Sequence, residues 1–445
     1  MARVLPFRGY RYNPEKVGDL AAVVSPPYDV IPDDVRDALH QRHPFNVIRL
    51  ILGEDREGDG EAENRYRRAS RYFAEWEETG VLRRDPRPAF YIYQQEFSWK
   101  RGERRVRTGL IGAVGLEEYG ARIIFPHEQT FPGPKADRLR LMQSLPVNLE
   151  QIFCFYPGPA EPIRGRLRDA TQGSPVCDFE DGAGVRHRLW ILDDAQAIAG
   201  LVAAFANRPL FIADGHHRYE TALNFQKEMR GIDVPGEAGK AYNFVMMTMV
   251  SIEDEGLTVL PTHRLVQATG NRGSTEILAA LSSHFHGEER GIGGRGGIGE
   301  VLEEMADRGR HAHVFGLYTG GETLHLLTLK DPEVLEGLGE RGRPAQRLDV
   351  VVLEYLVFRQ LLKLEDSAMI RYTPDDRAAL EEVRHGRASA AFLLNPTPVK
   401  RITEIVSAGE RLPPKSTYFY PKLVSGLVFS KVGSGERLSM PQEVP

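Results

Sequence analysis

The sequence predicts an α/β fold with mixed, α+β-type sheets. Short apolar runs such as "AFYIYQQEF", "HRLWILDD" and "PLFIA" alternate with stretches of helical periodicity such as "NRYRRASRYFAEWEE", and Gly and Pro punctuate the joins. No internal repeat recurs along the chain, which removes the solenoid classes. Strand runs mixed with helical runs favour layered sheets and helices over a bundle or a sandwich.

Taken in order, "LAAVVSPPYDVI" reads as a strand broken by Pro26 and Pro27, neither of which can donate to a ladder, with Tyr28 and Asp29 on the constrained turn that follows. Asp33 and Asp34 stand ahead of Val35, Ala38 and Leu39 as at the start of a short capped helix. Residues 61–81 repeat apolar and aromatic side chains at helical spacing and stop at Gly80. "AFYIYQQEF" and "RTGLIGAVGLEEY" read as paired strands with "SWKRGERR" as their turn. A short strand, a Pro-rich polar loop, a helix and a further strand follow in "ARIIFPHEQTFPGPKADRLRLMQSLPVNLEQIFCFY", and strand-to-helix order recurs in "PLFIADGHHRYETALNFQKEM". A helix over 274–283 is interrupted by the glycine-rich "GEERGIGGRGGIGE"; two strands, a long helical run and the strand-like "SAAFLLNP" complete the chain. These breaks divide it into an N-terminal α/β region (1–90), a central region (91–270) and a C-terminal α/β region (271–445).

The totals narrow the function classes. Over 445 residues, 57 Lys plus Arg nearly cancel 62 Asp plus Glu, so no global field would hold a polyanion and no nucleic-acid partner is called for. Cys154 and Cys177 are too few for a disulfide framework, no apolar run spans a bilayer, and the N-terminus lacks a secretory signal; a cytoplasmic protein is expected.

"LFIADGHHRYETAL" is the most informative stretch. A buried strand would run into Asp214 at the N-cap of a helix, Gly215 would permit the tight turn, and the helix start would offer partial positive charge to an anion. Arg218 adds a planar fork suited to phosphate oxygens, and His216 and His217, about 100° apart on the helix, cannot both face one ligand. Together they read as a phosphate cradle with a carboxylate beside it.

A second polar cluster, "FPHEQTFPGPKADRLRL", holds His127, Glu128, Thr130, Lys135, Asp137 and Arg138 on a proline-stiffened loop. Lys135 and Arg138 are phosphate-binding candidates, and Glu128 is a candidate base or Mg²⁺ ligand. "SPPYDV" adds Tyr28 and Asp29, "LPTHRL" adds His263 and Arg264, and "PPKSTYFYPK" adds Lys415, Ser416, Thr417, Tyr418 and Lys422 as substrate-binding or supporting candidates. Gly291, Gly293 and Gly296 satisfy G-x-G-x-x-G, but the charged "SSHFHGEER" before them does not read as the strand that a dinucleotide turn needs, so the stretch is expected to be a surface loop. There is no P-loop motif and no G-x-S-x-G.

At "SPPYDVI", "HEQTFPGPKADRLRL", "LFIADGHHRYETAL", "LPTHRL" and "PPKSTYFYPK", in that order, the chain resembles the bacterial and archaeal family known as domain of unknown function 1015, over nearly its full length. The D-G-H-H-R-Y junction is also similar to the phosphate-binding motif of the ParB/sulfiredoxin superfamily, which includes CTP-hydrolysing partitioning proteins, ATP-using sulfiredoxins and free-serine kinases. That second resemblance implies a ParB/sulfiredoxin-like core with additional α/β subdomains. It also implies that Gly215, His216, His217 and Arg218 form the phosphate-binding turn and that Asp214 is the acidic residue before it. The catalytic Cys of sulfiredoxin is absent from the motif, and no helix-turn-helix follows it.

The function expected from this reading is a nucleotide-dependent phosphotransferase acting on a small hydroxylated metabolite, with free L-serine as first acceptor, ATP or ADP as donor and Mg²⁺ as cofactor. Asp214, Glu128 or His217 would carry the base chemistry, and Asp214 or Glu128 the Mg²⁺. Two alternatives stay open: a CTP- or ATP-dependent switch acting through a partner, and a metal hydrolase using His127, Glu128 and His216 or His217. A small substrate and a nucleotide are the expected partners, with no membrane, and a homo-oligomer is left open.

Overall fold

Asn64 accepts hydrogen bonds at 3.1 Å from the backbone N–H groups of Tyr66 and Arg67 and so starts helix α1 (Arg65–Glu78), which lies within the expected span 61–81; Gly80, at φ 73°, ends the chain's run beyond it. Phe73 and Trp76 on its buried face pack with Tyr10, Tyr12, Ile48 and Phe429. The computed structural model describes residues 2–232, 239–267, 274–293, 297–337, 344–364 and 369–440.

The chain divides into two compact units. Unit 1 comprises Met1–Pro126, Thr130–Thr258 and Pro421–Pro445, and unit 2 comprises His127–Gln129 and Val259–Tyr420. The boundaries expected at 90 and 270 differ from this division. Helix α1 shares its core with Leu141 and Leu145, and the last segment returns to pair Ser430 and Lys431 with Asn148 and Val147. Residues distant in sequence thus bury one another, and local composition carries no sign of that.

Unit 1 continues through strands β1 (Phe90–Ser98), β2 (Arg104–Gly115) and β3 (Ile124–Phe125), helix α2 (Pro132–Ser144), and strands β4 (Ile152–Tyr156), β5 (Cys177–Glu180) and β6 (Arg186–Leu192). Helix α3 (Ala195–Phe205), strand β7 (Leu210–Asp214), helix α4 (His216–Ile232) and strand β8 (Phe244–Ser251) follow. The strands form one mixed sheet in the order β3-β7-β4-β8-β2-β1-β6-β5, with Val4–Leu5 joining as a ninth strand beside β2. Pairs β3/β7 and β4/β8 are parallel and the other neighbours antiparallel. The fold is therefore mixed α/β, as the alternation of strand and helix runs predicts. Cys154, Ile212, Met247 and Leu110 from the sheet bury with Tyr219 and Leu223 of α4 and with Ile198 and Phe205 of α3.

Two sequence expectations are corrected here. "LAAVV" is not a strand: Asp19 accepts a hydrogen bond from Ala21 N at 2.9 Å and caps a short helix, Leu20–Val23, whose Val23 joins the core of α1. A one-turn helix is too short for period to distinguish from a strand. The prolines still act as expected, since Tyr28–Val30 forms a tight 3₁₀ turn.

Unit 2 holds a six-stranded antiparallel sheet of its own, built from β9 (His263–Val266), β10 (Phe285–Gly291), β11 (Val314–Tyr318), β12 (Thr323–Leu329), β13 (Ile370–Thr373) and β14 (Ala390–Leu393), in the order β10-β12-β11-β14-β9-β13. Strand β10 is the second correction, because "FHGEERG" is a strand after all. It lies at the sheet edge, where Glu288 and Arg290 make ion pairs with Glu304 and Arg308 of the helix Gly297–Arg308. An edge strand tolerates such charges. Among the described residues its ladder partner is the antiparallel β12, unlike the parallel strand that leads into a dinucleotide turn. Gly296 lies outside the described residues. Among the described residues no helix is long and apolar enough to cross a membrane.

Candidate functional site

Strand β7 changes register just before the junction. Ile212 stands opposite Cys154 and Asp214 opposite Phe153, so Ala213 is an extra residue, and a bulge at this point re-aims the side chain that follows. Gly215 then adopts φ 93°, and its carbonyl accepts the first helical hydrogen bond from Tyr219 N at 3.0 Å. Gly215 is therefore the residue at the helix cap. Asp214 ends the strand, and its side chain is spent elsewhere than on the cap expected of it. A Cβ on Gly215 would stand 3.0 Å from Arg218 Nε and 3.1 Å from Arg218 Cζ, so the missing side chain is what lets the guanidinium fold back over the turn.

Asp214 is clamped between two cations. Its Oδ1 accepts from Lys422 Nζ at 2.5 Å and its Oδ2 from Arg218 Nη2 at 2.7 Å, with side chains only 11–16% exposed. Burial alone would raise the Asp214 carboxyl, but Lys422 and Arg218 outweigh it and hold the group well below the usual carboxylate range. Arg218 Nη1 donates to the Gln151 carbonyl at 2.6 Å, while its Nε is buried without a hydrogen-bond partner. Burial would lower the Arg218 guanidinium, and Glu150, Asp214, Asp29 and Tyr28 raise it above its ordinary value instead. Arg107 lies behind the clamp, buried over the Phe153 ring at 4.6 Å and donating to Gln95 and to the Pro421 carbonyl.

The neighbouring loop presents a second polar group. Thr130 Oγ1 and Lys135 Nζ both donate to Glu220 Oε2 of α4, at 2.6 and 2.9 Å. His217 Nε2 accepts from the Phe131 amide at 2.9 Å, and its ring stacks on that of Phe131. That nitrogen is committed as an acceptor, which fixes the proton on Nδ1 in the neutral ring and leaves His217 poorly set to act as a base. His216 is buried.

Arg138 has a structural post. Its Nε and Nη2 donate to Asp137 Oδ2 at 2.7 and 2.5 Å and its Nη1 to the Ile51 carbonyl at 2.6 Å, while the guanidinium lies 4.3 Å from the Tyr28 ring centre. With the fork so occupied, little of it remains for a phosphate. Tyr28 N donates to Glu150 Oε1 at 3.0 Å, which ties the "PPYDV" turn to the strand end beside Arg218.

The remaining candidates belong to unit 2. His127 is buried, and its Nε2 sits 2.8 Å from Thr417 Oγ1 and 3.7 Å from Glu128 Oε1; Glu128 also bridges the backbone of Leu412. His263 Nδ1 accepts from Leu394 N at 3.1 Å, and burial pushes its pKa down to about 4, so it is neutral at pH 7. Arg264 donates to the Thr262 carbonyl and lies over the Tyr372 ring, and burial lowers it to about 10. Ser416 Oγ donates to the Pro413 carbonyl at 2.6 Å, and Lys415 takes a left-handed φ of 58°. His263 and Ser416 are thus engaged in local backbone hydrogen bonds.

Mg²⁺ fits the clamp badly as it stands, because both Asp214 oxygens already accept from cations that a dication would have to displace. Among the described residues no group of three or more His, Cys, Asp and Glu side chains is arranged to hold a metal ion, so the His127/Glu128 hydrolase finds no ligand set. Lys422, Glu150 and Glu220 complete this site; the sequence offered Lys422 only as a supporting candidate and gave Glu150 and Glu220 no role. Lys422 lies 208 residues from Asp214, and only its place in "PPKSTYFYPK" marked it.

Among solved structures, the chain is similar to a conserved hypothetical protein from Pyrococcus furiosus, at 13% identity and a TM-score of 0.32 over 68% of this chain and 92% of that one. It is similar to a free serine kinase in complex with AMP, at 12% identity and a TM-score of 0.32 over 68% and 89% of the two chains. Similarity also extends to a C-terminally truncated SbnI from Staphylococcus aureus, at 10% identity and a TM-score of 0.33 over 71% and 85%. No curated protein matches the chain. The sequence model of the proteins of unknown function DUF1015 matches residues 4–351, and the chain belongs to that family.

Proposed function

We propose that the β7–α4 junction binds the phosphates of ATP or ADP and that the protein is a phosphotransferase acting on a small hydroxylated metabolite. The observation that carries this reading is the convergence of two cations, Lys422 and Arg218, on one carboxylate at a helix N-terminus that opens with a positive-φ glycine. A helix start favours an anion, and Lys and Arg at the same point add charge and directed donors. A phosphate arriving there would take over hydrogen bonds that Asp214 now accepts.

Phosphoryl transfer asks chiefly for positioning and charge neutralisation. Lys422 and Arg218 supply the charge, and Asp214 holds both in place before the phosphate binds. A carboxylate held so far below neutrality is a weak base, so Asp214 acts first as an orienting group and takes up an acceptor proton only once its cations have turned to phosphate. Lys135, held by Glu220 in the first turns of α4, is a third cation beside this helix. The motif's resemblance to that of free-serine kinases makes L-serine the first acceptor to test.

The test is phosphorus NMR of the full chain with ATP, ADP or CTP, with and without L-serine, and with Arg218→Ala and Lys422→Ala as controls. A serine-dependent phosphomonoester signal that both substitutions abolish supports the kinase. Nucleotide binding seen by calorimetry without any transfer favours the CTP- or ATP-dependent switch, a reading that the depressed Asp214 carboxyl also suits. If neither binding nor turnover occurs, the phosphate cradle is wrong.

A further inference from the structure

We propose that unit 1 carries a binding site for a short monocarboxylate, of about formate to propionate size, in the cavity behind the junction. The cavity, of about 50 Å³, lies between α2, α4 and the segment that leads into β4, and Asn148, Glu150, Arg138, Arg218 and Val245 are among the side chains that line it. Two of these present buried donors that no protein group accepts, Asn148 Nδ2 and Arg218 Nε. Asn148 is 6% exposed. Buried donors are nearly always satisfied, so two unsatisfied ones on residues that line one hollow call for an acceptor within it.

Charge and size choose the acceptor. Two guanidinium groups and the Glu150 carboxylate line the space, and both guanidiniums already hold carboxylates, Asp137 and Asp214, so the Arg218 Nε and Asn148 donors suit one small singly charged acceptor and leave no charge for a phosphate dianion. The volume is several times that needed for one water and about a third of a cavity that takes benzene, which suits three to five heavy atoms and excludes a nucleotide. Most of the remaining wall is aliphatic, with Val245 among it, and would take a methyl or ethyl group while the carboxylate faces Asn148 and Arg218. The site is distinct from the phosphate cradle but shares Arg218 with it: the Nη atoms face Asp214 and the Gln151 carbonyl, and Nε is the donor left over.

The experiment titrates the full chain, without nucleotide, with ¹³C-labelled formate, acetate and propionate at constant ionic strength set by NaCl, and follows binding by NMR. Saturable binding with a Kd of about a millimolar is expected. Asn148→Asp, which puts a carboxylate where the donor was, should weaken acetate at least about tenfold. Val245→Leu narrows the apolar wall and should cost propionate at least about fivefold more than formate; it carries the test if the first variant fails to fold. No saturable binding above the chloride background overturns the proposal, as does a Kd within about twofold of wild type in Asn148→Asp or an unchanged formate-to-propionate ratio in Val245→Leu. A failure here leaves the phosphate cradle standing, since ATP and ADP binding is measured separately.

Discussion

Replacing Asp214 by Asn leaves Lys422 and Arg218 partly buried with no carboxylate between them. Removing one partner of a buried ion pair costs about 3–5 kcal/mol. The low end applies here, because the amide oxygen can still accept one of the two hydrogen bonds, at 2.5 and 2.7 Å, that the carboxylate accepts now. At about 2–4 °C per kcal/mol, a loss of about 3 kcal/mol lowers the calorimetric Tm of Asp214→Asn by roughly 6–12 °C at pH 7. The sign with pH is fixed by the depressed carboxyl: its stabilisation is present above the unfolded value of about 3.9 and fades as pH falls toward the folded one, so the gap between variant and wild type narrows below about pH 4. The two cations, no longer shared with a carboxylate, should also bind ADP roughly three- to tenfold more tightly, while transfer is lost. Scanning calorimetry across pH and ADP titration calorimetry check these outcomes. A Tm within about 2 °C of wild type at pH 7 would show that the clamp contributes nothing, and an unchanged or weaker Kd for ADP would show that Asp214 does not compete with phosphate.

Gly215→Ala should lower stability by about 1–2 kcal/mol from the left-handed backbone and push the Arg218 fork off the turn; retention of wild-type nucleotide affinity would refute the close approach. His263, held near 4 by burial against an unfolded value of about 6.5, contributes stability that is present above pH 6.5 and lost as pH falls toward 4. Its ring signals in NMR should therefore not titrate between pH 8 and 5, and a midpoint near 6.5 would contradict the burial. Burial raises the thiol of the fully buried Cys154, which should not react with a thiol reagent at pH 8 unless the protein is unfolded, while the half-buried Cys177, its thiol pushed up to about 12, should react only slowly; fast labelling of both thiols in native protein would count against this.

The strand pair Phe90–Ser98 and Arg104–Gly115, the helix Arg65–Glu78 and the strand-turn-helix at Asp214 were all legible, because each is set by local periodicity and by a breaker or cap within a few residues. Strand Phe285–Gly291 and the one-turn helix Leu20–Val23 were not. The first trades apolar alternation for ion pairs with a helix beyond the next turn, and the second is too short to show a period.

Sequence alone determined that Asp214, Gly215 and Arg218 share one strand-to-helix turn, because the spacing of neighbours in a chain is fixed by covalent geometry. It did not determine what Asp214 does there. The tertiary structure moved the cap to Gly215, brought Lys422 back across 208 residues to the other carboxylate oxygen, and turned Arg138 into a prop for Ile51 and Asp137. Those pairings follow from which surfaces bury one another, a property of distant segments that meet only when the sheet is assembled. No local pattern encodes it.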